Sequence, residues 1–253
     1  MTEPVLPDFT PAPNQAGNPE LYEVENRAID HEGTLRQALG EVADLSGRTV
    51  VDLGCGSGFW LQDYAEQAAS VIGVEPDPTL LELARKRVAS QGLDGVQVLQ
   101  GSAEHLPLAE GSVDVVHARF AYFFPTPTND CTPGLREVLR VLRPGGTLVV
   151  IDNDQENGQF AALLRASDTA QQFQGTGDYN RAWWAGQGAE TRQVMSSWSF
   201  ETAADRDAVL RLEFPADVAD AHLAAHPGQT RLSYGYLLHC LAKPPAAGAQ
   251  PLP

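Results

Sequence analysis

The stretch Val50–Phe59, VVDLGCGSGF, decides the fold of this 253-residue chain. Its first half is apolar and β-branched, which predicts a strand buried on both faces, as at the centre of a parallel sheet. The strand ends at Gly54, Gly56 and Gly58, and helical spacing of apolar residues begins at Phe59. Strand, glycine turn and helix form the first half of a βαβ nucleotide-binding unit, in which glycine permits a tight turn and close approach of a ligand.

The glycine spacing separates two classes of nucleotide-binding fold. A dinucleotide fingerprint, G-x-G-x-x-G, needs its third glycine at position 59, where this chain has Phe59. The stretch instead reads D-x-G-x-G-x-G and resembles motif I of the class I S-adenosylmethionine (SAM)-dependent methyltransferases. The resemblance implies a doubly wound, Rossmann-like α/β fold with a seven-stranded, mostly parallel sheet and an antiparallel last strand. It also implies that the cofactor is held by Asp52, Gly54, Cys55, Gly56 and Gly58.

A second buried strand, Ser70–Glu75, ends in a carboxylate. Glu75 follows the glycine turn by about twenty residues, a spacing at which an acidic side chain accepts hydrogen bonds from ribose hydroxyls. The resemblance implies this role for Glu75, with a surface glutamate as the alternative. It also places Pro76 and Leu80 at the cofactor, although core packing explains Leu80 nearly as well.

The segment after the third strand, Gly101–Pro107, reads GSAEHLP. The family form is G-D-A-E-x-L-P, in which the aspartate accepts a hydrogen bond from the adenine amino group. Ser102 replaces that aspartate, so the adenine contact is expected to be weaker, water-mediated or shifted to Glu104. The backbone N–H of Ala103 still meets the ring edge. The fourth strand and its exit resemble the family segment that faces the methionine part of SAM, which implies contacts from Ala118 and Arg119.

The remaining family features lie on either side of this core. Arg143–Gly146 predicts a tight turn from a helix into the fifth strand, because proline and glycine favour such turns. Helices before the glycine motif close over the cofactor in the resembled family, and Tyr22 matches loosely a tyrosine found there. A packed aromatic side chain is the alternative for Tyr22. The resemblance is specific over residues 48–152.

The domain boundaries follow from composition. Residues 1–20 are rich in proline and predict a disordered arm that orders over a bound ligand. Residues 21–242 are predicted to form the methyltransferase domain, and residues 243–253 a disordered tail. Glycine-rich sequence at about 153–190 predicts a mobile cap inserted after the fifth strand. The candidates for an apolar wall around the acceptor, with burial inside the cap as the alternative, are Tyr122, Trp183 and Trp184.

The sequence assigns no catalytic residue. Methyl transfer from a sulfonium is an in-line displacement, so the protein mainly aligns two reactants and excludes water. A base is needed only when the acceptor is protonated. Asp152 ends the fifth strand on the acceptor side, and His117 lies in the fourth strand. A loop carboxylate and a core histidine are the alternatives for these two candidates.

Charge and cysteine content limit the partners. The net charge of −16 disfavours nucleic acid and anionic membranes, which are bound through Lys and Arg. Three distant cysteines without metal-ligand spacing indicate reduced thiols, a cytoplasmic protein and no metal site. The N-terminal residues have no signal-peptide pattern.

The sequence therefore predicts a SAM-dependent methyltransferase that acts on a small molecule and produces S-adenosylhomocysteine (SAH). The acceptor and the oligomeric state are left open. Two alternatives remain, a non-catalytic SAM- or SAH-binding protein and a nicotinamide-dependent oxidoreductase.

Overall fold

Seven strands form one sheet at the centre of the chain. In the computed structural model, which describes residues 4–9 and 17–245, the strands are β1 (Thr49–Leu53), β2 (Ser70–Glu75), β3 (Val96–Gln100), β4 (Val113–Arg119), β5 (Leu142–Gly158), β6 (Glu190–Ser199) and β7 (Arg231–Ala242). Their order in the sheet is β3-β2-β1-β4-β5-β7-β6. The first five strands are parallel, and β7 runs antiparallel to its neighbours β5 and β6. The predicted fold class is confirmed.

Helices cover the sheet over the described residues. They are α1 (Pro19–Ala28), α2 (Thr34–Val42), α3 (Leu61–Ala65), α4 (Pro78–Gln91), α5 (Thr132–Val141), α6 (Gln159–Ala166), α7 (Asp168–Gln174), α8 (Gly177–Gly186), α9 (Ala203–Glu213) and α10 (Ala216–Ala225). The helices α6, α7 and α8 lie between β5 and β6, where the sequence predicts an insertion. Among the residues described, no helix has the length and apolar character needed to cross a membrane.

Alternation along β5 shows how the core is divided between the two faces of the sheet. Leu148 and Val150 pack in the cluster that contains residues of α5 and Trp184 of α8. Val149 and Ile151 belong to the clusters on the opposite face, with residues of α2, α3 and α6. Successive side chains of a strand point to opposite faces, so this division indicates the face on which the next residues of β5 lie.

The start of β5 differs from the prediction of a tight turn over Arg143–Gly146. Leu142 already pairs with Val113, and the register shifts before the next pair. The Gly145 N–H donates to the Lys243 carbonyl (3.0 Å), and the Lys243 N–H donates to the Gly146 carbonyl (2.8 Å). Because glycine tolerates the positive φ of 81° at Gly145, the segment enters the sheet as an irregular strand paired with the chain after β7.

Parts of the predicted arm and tail, residues 1–3, 10–16 and 246–253, lie outside the described residues. Residues 4–9 contact the end of β3 and the loop after it, since Gln100 donates to the Pro4 carbonyl (2.7 Å). α1 begins at Pro19, within the range predicted as the arm. Asn18 caps this helix by accepting a hydrogen bond from the Leu21 N–H (3.2 Å).

Candidate active site

A cavity of about 550 Å³ lies at the carboxyl ends of the parallel strands. This volume falls within the range of small-molecule sites. Open α/β sheets bind ligands at this edge, where the strand order reverses, here between β1 and β4. The cavity extends from residues after β3 to Tyr234 of β7 and Trp198 of β6. One continuous space therefore runs from the predicted cofactor side of the sheet to its far edge.

The glycine turn supplies the backbone wall of this cavity. Gly54 and Gly56 have φ angles of 72° and 57°, a region that favours glycine. A Cβ on Gly54 would lie 2.5 Å from Ala121 Cβ, and one on Gly56 would lie 2.8 Å from the Tyr22 hydroxyl. Gly54 itself lines the cavity together with Tyr22. A side chain at either glycine would therefore collide with a neighbouring residue of the cavity wall.

The other residues of the motif support the turn. Cys55 lines the cavity and is buried. Gly58 packs against α4, since a Cβ there would lie 3.1 Å from the Ala84 Cα. Gly56 and Gly58 do not line the cavity, so their role in this structure is to shape the turn.

Glu75 joins the end of β2 to the glycine turn. Its Oε2 accepts a hydrogen bond from the Gly56 N–H (2.8 Å), and its Oε1 accepts one from the Asp77 N–H (2.9 Å). Burial raises the pKa of Glu75 to about 7 even though both hydrogen bonds favour the ionised form. Glu75 lines the cavity with Pro76 and Leu80. The carboxyl group is thus fixed at the cavity wall and titrates near neutral pH.

Asp52 and Arg119 form the middle of the cavity wall. Burial raises the pKa of Asp52 to about 7, and the Arg119 guanidinium opposes this shift. The Cζ of Arg119 lies 3.9 Å from the centroid of the Trp60 ring, and its Nη2 donates to the Tyr64 hydroxyl (3.4 Å). Arg119 Nε and Nη1 are buried and have no hydrogen-bond partner within the described part of the chain. Such donors are suited to an anionic group of a ligand.

Asp8 lies at the end of the cavity near Ser102, a position that the sequence does not predict. Its Oδ2 accepts a hydrogen bond from the Ser102 hydroxyl and lies 2.7 Å from His105 Nδ1. Partial burial raises the pKa of Asp8, but the hydrogen bonds from Ser102 and His105 outweigh this and hold the pKa below its ordinary value. Asp8 therefore brings a carboxylate next to the serine that replaces the family's aspartate. Ala103 and Glu104 line the same end.

Four aromatic rings and one amide enclose the opposite end of the cavity. Phe160 stacks on Tyr234 with a centroid distance of 3.9 Å and lies 4.9 Å from Trp198, and Phe120 lies 6.2 Å from Tyr234. Asn153 Oδ1 accepts a hydrogen bond from the Tyr234 hydroxyl. We call Phe120, Asn153, Phe160, Trp198 and Tyr234 the aromatic chamber.

Two carboxyl side chains lie beside the aromatic chamber. Glu25 of α1 and Glu213 at the end of α9 both line the cavity, and their carboxyl groups hydrogen-bond to each other. Burial, followed by the charge of Glu213, raises the pKa of Glu25. Phe214, the residue after Glu213, lies 5.4 Å from Phe160, and Ile29 at the end of α1 pairs with Trp198, so both helix ends lie beside the chamber. We call Glu25 and Glu213 the carboxyl pair.

The structure places His117, a candidate base, in the core. It is 1% exposed, its Nδ1 lies 3.1 Å from the Val149 carbonyl, and its ring meets Tyr64 edge-on. Burial lowers its pKa to about 3, so it stays neutral. It does not line the cavity. His117 is therefore a core histidine, which is the alternative to a base. Its side chain packs against α3 beneath the site.

Asp152, Trp183 and Trp184 lie on the face of the sheet opposite the aromatic chamber and do not surround the cavity as predicted. Asp152 Oδ2 accepts a hydrogen bond from Asn180 Nδ2 (2.5 Å) and thereby ties α8 to β5. Trp184 is fully buried and stacks on His239 at 5.2 Å, with Trp183 at its side. The neighbouring residue of β5, Asn153, lines the cavity instead because side chains alternate along a strand.

Two further candidates occupy positions other than those predicted. Ala118 is fully buried within β4 and does not line the cavity. Tyr122 does line the cavity, but its hydroxyl donates to Glu104 Oε1 (2.9 Å) and accepts from the Gly134 N–H (3.0 Å). It therefore belongs to the end of the cavity near Ser102 and not to the aromatic chamber.

The fold and this cavity together define an open α/β domain of the nucleotide-binding kind. Residues 50–146 match the family described as "Methyltransferase domain". This segment is therefore similar to the methyltransferases, the family that motif I and the segments after it resemble.

Curated relatives share similarity in sequence with this chain, and a solved structure shares its fold. A demethylmenaquinone methyltransferase of Lactococcus lactis is 34% identical over 119 residues, which cover 46% of this chain and 46% of the relative. One of Deinococcus radiodurans is 32% identical over 150 residues, covering 57% of this chain and 61% of the relative. The chain thus spans about half the length of the curated relatives it matches. The YcgJ protein of Bacillus subtilis has a TM-score of 0.60 at 20% identity, over 85% of this chain and 99% of that one, a likeness in fold alone.

Proposed function

We propose that this chain transfers a methyl group from SAM to a small-molecule acceptor. One observation carries the proposal: a single cavity joins the glycine turn and Glu75 to the aromatic chamber. A protein that only binds SAM needs the first part of this space. The second part gives room for another molecule beside the first, which favours an enzyme over a non-catalytic binding protein.

The residues at one end of the cavity fit the nucleoside part of SAM. Glu75 offers a fixed carboxyl group for the ribose hydroxyls, and Leu80 and Ala103 offer surfaces for adenine. Asp8, held by Ser102, supplies a carboxylate at the position where the adenine amino group needs an acceptor. In this proposal the N-terminal arm compensates for the serine in the motif.

The amino-acid end of SAM carries one ammonium and one carboxylate. Asp52 and Arg119 present the opposite charges side by side, and the unpartnered Nε and Nη1 of Arg119 suit a carboxylate. Gly54 lines the cavity together with them, so its backbone can approach a ligand. The pattern of charge in this part of the cavity therefore suits a zwitterion.

The chain contributes orientation and exclusion of water to the reaction. SAM, when bound, supplies a methyl group that its sulfonium already activates. The rings of the aromatic chamber form apolar walls around the second molecule, and α1 lines the space through Tyr22 and Glu25. Holding two reactants in line in a water-poor space accelerates such a displacement without an obligatory base.

The acceptor is proposed from this chain's own geometry. Two relatives are named demethylmenaquinone methyltransferases, but they match this chain over about half of their length.

Phe59 stands where a dinucleotide-binding motif has its third glycine, which opposes the alternative of a nicotinamide-dependent oxidoreductase. A cytoplasmic location stays a prediction.

Ligand-dependent thermal stability tests the cofactor, and SAH release tests the reaction. We expect SAM and SAH to raise the melting temperature, and NAD and NADP to leave it unchanged. A ligand at a hundred times its Kd adds about 2.7 kcal/mol of stability, which a thermal scan resolves. Stabilisation by NAD without stabilisation by SAM would contradict the proposed cofactor. SAH binding without SAH release from SAM for any acceptor in a broad small-molecule library would favour the non-catalytic alternative.

A further inference from the structure

The aromatic chamber lies beside the part of the cavity that fits SAM and does not overlap it. In the sheet order, Glu75 belongs to β2, whereas Asn153, Tyr234 and Trp198 belong to β5, β7 and β6 on the other side of β4. The chamber is therefore the place for the methyl acceptor if the proposed function holds. Its chemistry indicates which acceptor it selects.

The charges around the cavity are strongly biased. Among the described residues that line it, the only Lys, Arg or His side chain is that of Arg119, which stacks on Trp60. The carboxyl side chains that line it are Asp8, Glu25, Asp52, Glu75, Asp77, Glu104 and Glu213. A negative cavity of this kind favours a cationic guest over a neutral or anionic one.

The carboxyl pair brings this negative charge to the aromatic chamber. The charge of Glu213 raises the pKa of Glu25, because two adjacent negative charges repel each other. A guest ammonium placed between them offers several N–H donors and a positive charge, so both carboxyl groups can ionise and accept hydrogen bonds from it. An alcohol offers one donor and no charge. The pair therefore distinguishes an amine from an alcohol of the same shape.

The rings of the chamber favour the same guest. Trp198 and Tyr234 lie 5.3 Å apart, with Phe160 against both. Faces of such rings attract cations, and their apolar area binds the organic part of the molecule. An organic cation with an aromatic or other apolar body satisfies both the rings and the carboxyl pair.

We infer that the methyl acceptor is an apolar or aromatic amine, and that the carboxyl pair of Glu25 and Glu213 binds its ammonium group. This inference rests on the proposed function, which makes the chamber the binding site of the methyl acceptor. The preference of the chamber for an amine over an alcohol does not depend on that function. In the transfer, one carboxylate of the pair takes a proton from the ammonium group, and the lone pair freed on nitrogen attacks the methyl carbon of SAM. The electron pair of the breaking carbon–sulfur bond stays on sulfur, so the products are the N-methylated ammonium and SAH.

Matched probes test the inference by calorimetry. We would titrate the full chain, with and without saturating SAH, with 4-methoxyphenethylamine and with 2-(4-methoxyphenyl)ethanol, which differ only in the terminal amine or hydroxyl. The pair 5-methoxytryptamine and 5-methoxytryptophol repeats the comparison on a larger ring. We expect at least one amine to bind, and to bind at least tenfold more tightly than its alcohol.

Substitution of the carboxyl pair gives the second measurement. The double variant Glu25→Gln, Glu213→Gln keeps the shape of both side chains and removes their charge. We expect it to reduce amine affinity at least tenfold and to leave alcohol affinity within twofold. Glu213→Gln alone serves if the double variant is unstable. Glu20→Gln, at an exposed position of the same helix α1, is the matched control and should bind the amines as the unchanged chain does.

The outcomes separate the two proposals. Equal binding of amine and alcohol, tighter binding of the alcohols, an amine preference that survives in the double variant, or no amine binding at millimolar concentration would each overturn the inference. SAH affinity reports on the proposed function independently. Normal SAH binding with no amine preference leaves the methyltransferase proposal standing, whereas failure to bind SAH contradicts that proposal whatever the amines do.

Discussion

At the scale of single residues, Glu75 links the fold to ligand binding. Its two oxygens receive N–H groups from Gly56 and Asp77, so the side chain is oriented before any ligand binds. Only the ionised carboxylate can accept from both ribose hydroxyls as well. With a pKa of about 7, Glu75 is therefore partly protonated at neutral pH, and the remaining, ionised fraction can accept from the ribose hydroxyls.

We predict that Glu75→Gln weakens SAH binding at least tenfold. Hydrogen bonds to a charged acceptor contribute about 1.5–3 kcal/mol each, and glutamine keeps the shape without the charge. In the unchanged chain SAH affinity should rise with pH between about 6 and 8, as Glu75 ionises. Calorimetry over this range measures both effects. Equal affinity in the variant, or a pH slope that the variant keeps in full, would show that Glu75 does not bind the ribose.

Asp8 carries the second prediction at this scale. Because its carboxylate can accept from the adenine amino group, the unchanged chain should prefer SAH over S-inosylhomocysteine, which has a carbonyl oxygen at that position. Asp8→Ala should reduce this preference roughly fivefold, a modest factor because solvent near Asp8 weakens the contact. Asp94→Ala, at an exposed position, is the control. Competition binding of the two ligands gives the ratio directly, and an unchanged ratio would remove Asp8 from the adenine site.

Single residues also show where sequence reasoning ends. The sequence indicates Glu75 because its spacing from the glycine turn is local and set by one βα unit. Asp8 meets Ser102 across 94 positions, and Glu25 meets Glu213 across the helices α1 and α9. No local pattern marks such pairs, because their contact depends on how distant elements pack.

At the scale of elements, the insertion after β5 divides between the two faces of the sheet. Phe160 of α6 lines the cavity, whereas α8 packs Trp184 against His239 on the opposite face. The glycines and aromatics of residues 153–190 indicate an insertion. They do not indicate which face each helix covers, because an amphipathic pattern shows only that a helix has a buried side.

The position of α8 gives a stability prediction. Trp184→Ala should lower the free energy of unfolding by about 3–5 kcal/mol, because it removes a large, fully buried side chain. SAH affinity of the folded variant should stay unchanged, since Trp184 does not line the cavity. Urea denaturation and calorimetry measure the two quantities. Phe160→Ala is the contrasting variant, because Phe160 lines the cavity and its loss should also weaken binding of the methoxy-amine probes.

A result opposite to this would place α8 in the site. If Trp184→Ala kept its stability but lost turnover with a true acceptor, the helix would act as the mobile cap that the sequence predicts. The hydrogen bond from Asn180 to Asp152 argues otherwise, because it ties α8 to the sheet.

At the scale of the whole molecule, buried titratable groups set how stability depends on pH. Burial raises the pKa values of Asp52, Glu75 and Asp152 to about 7. In the unfolded chain these groups ionise near pH 4, so between about pH 4 and 7 the folded state binds more protons and loses stability as pH rises. Burial lowers the pKa values of His117 and His239 to about 3, and their contribution has the opposite sign, ending near pH 6.5.

Asp152 lies outside the cavity, so its contribution to the pH dependence of stability can be measured separately. Asp152→Asn keeps an oxygen that can accept from Asn180 and removes the titrating group. We expect this variant to have a flatter dependence of melting temperature on pH than the unchanged chain. The stabilisation by SAH should be the same in both, since Asp152 does not line the cavity. A variant with the full slope would show that Asp152 does not titrate near neutral pH.

As pH rises to about 6.5, the carboxyl groups lower the stability of the folded state and the histidines raise it. Above pH 6.5 only the carboxyl groups still change the stability. We therefore predict that the melting temperature of the ligand-free chain falls between about pH 6.5 and 8, with the net charge of −16 adding to the fall. SAH should offset this fall, because the bound ligand favours ionised Glu75, so the stabilisation by SAH grows over the same range. Thermal scans at several pH values, with and without SAH, measure both quantities. A ligand-free melting temperature that rises across this range, or an SAH increment that shrinks, would contradict the raised pKa values on which the prediction depends.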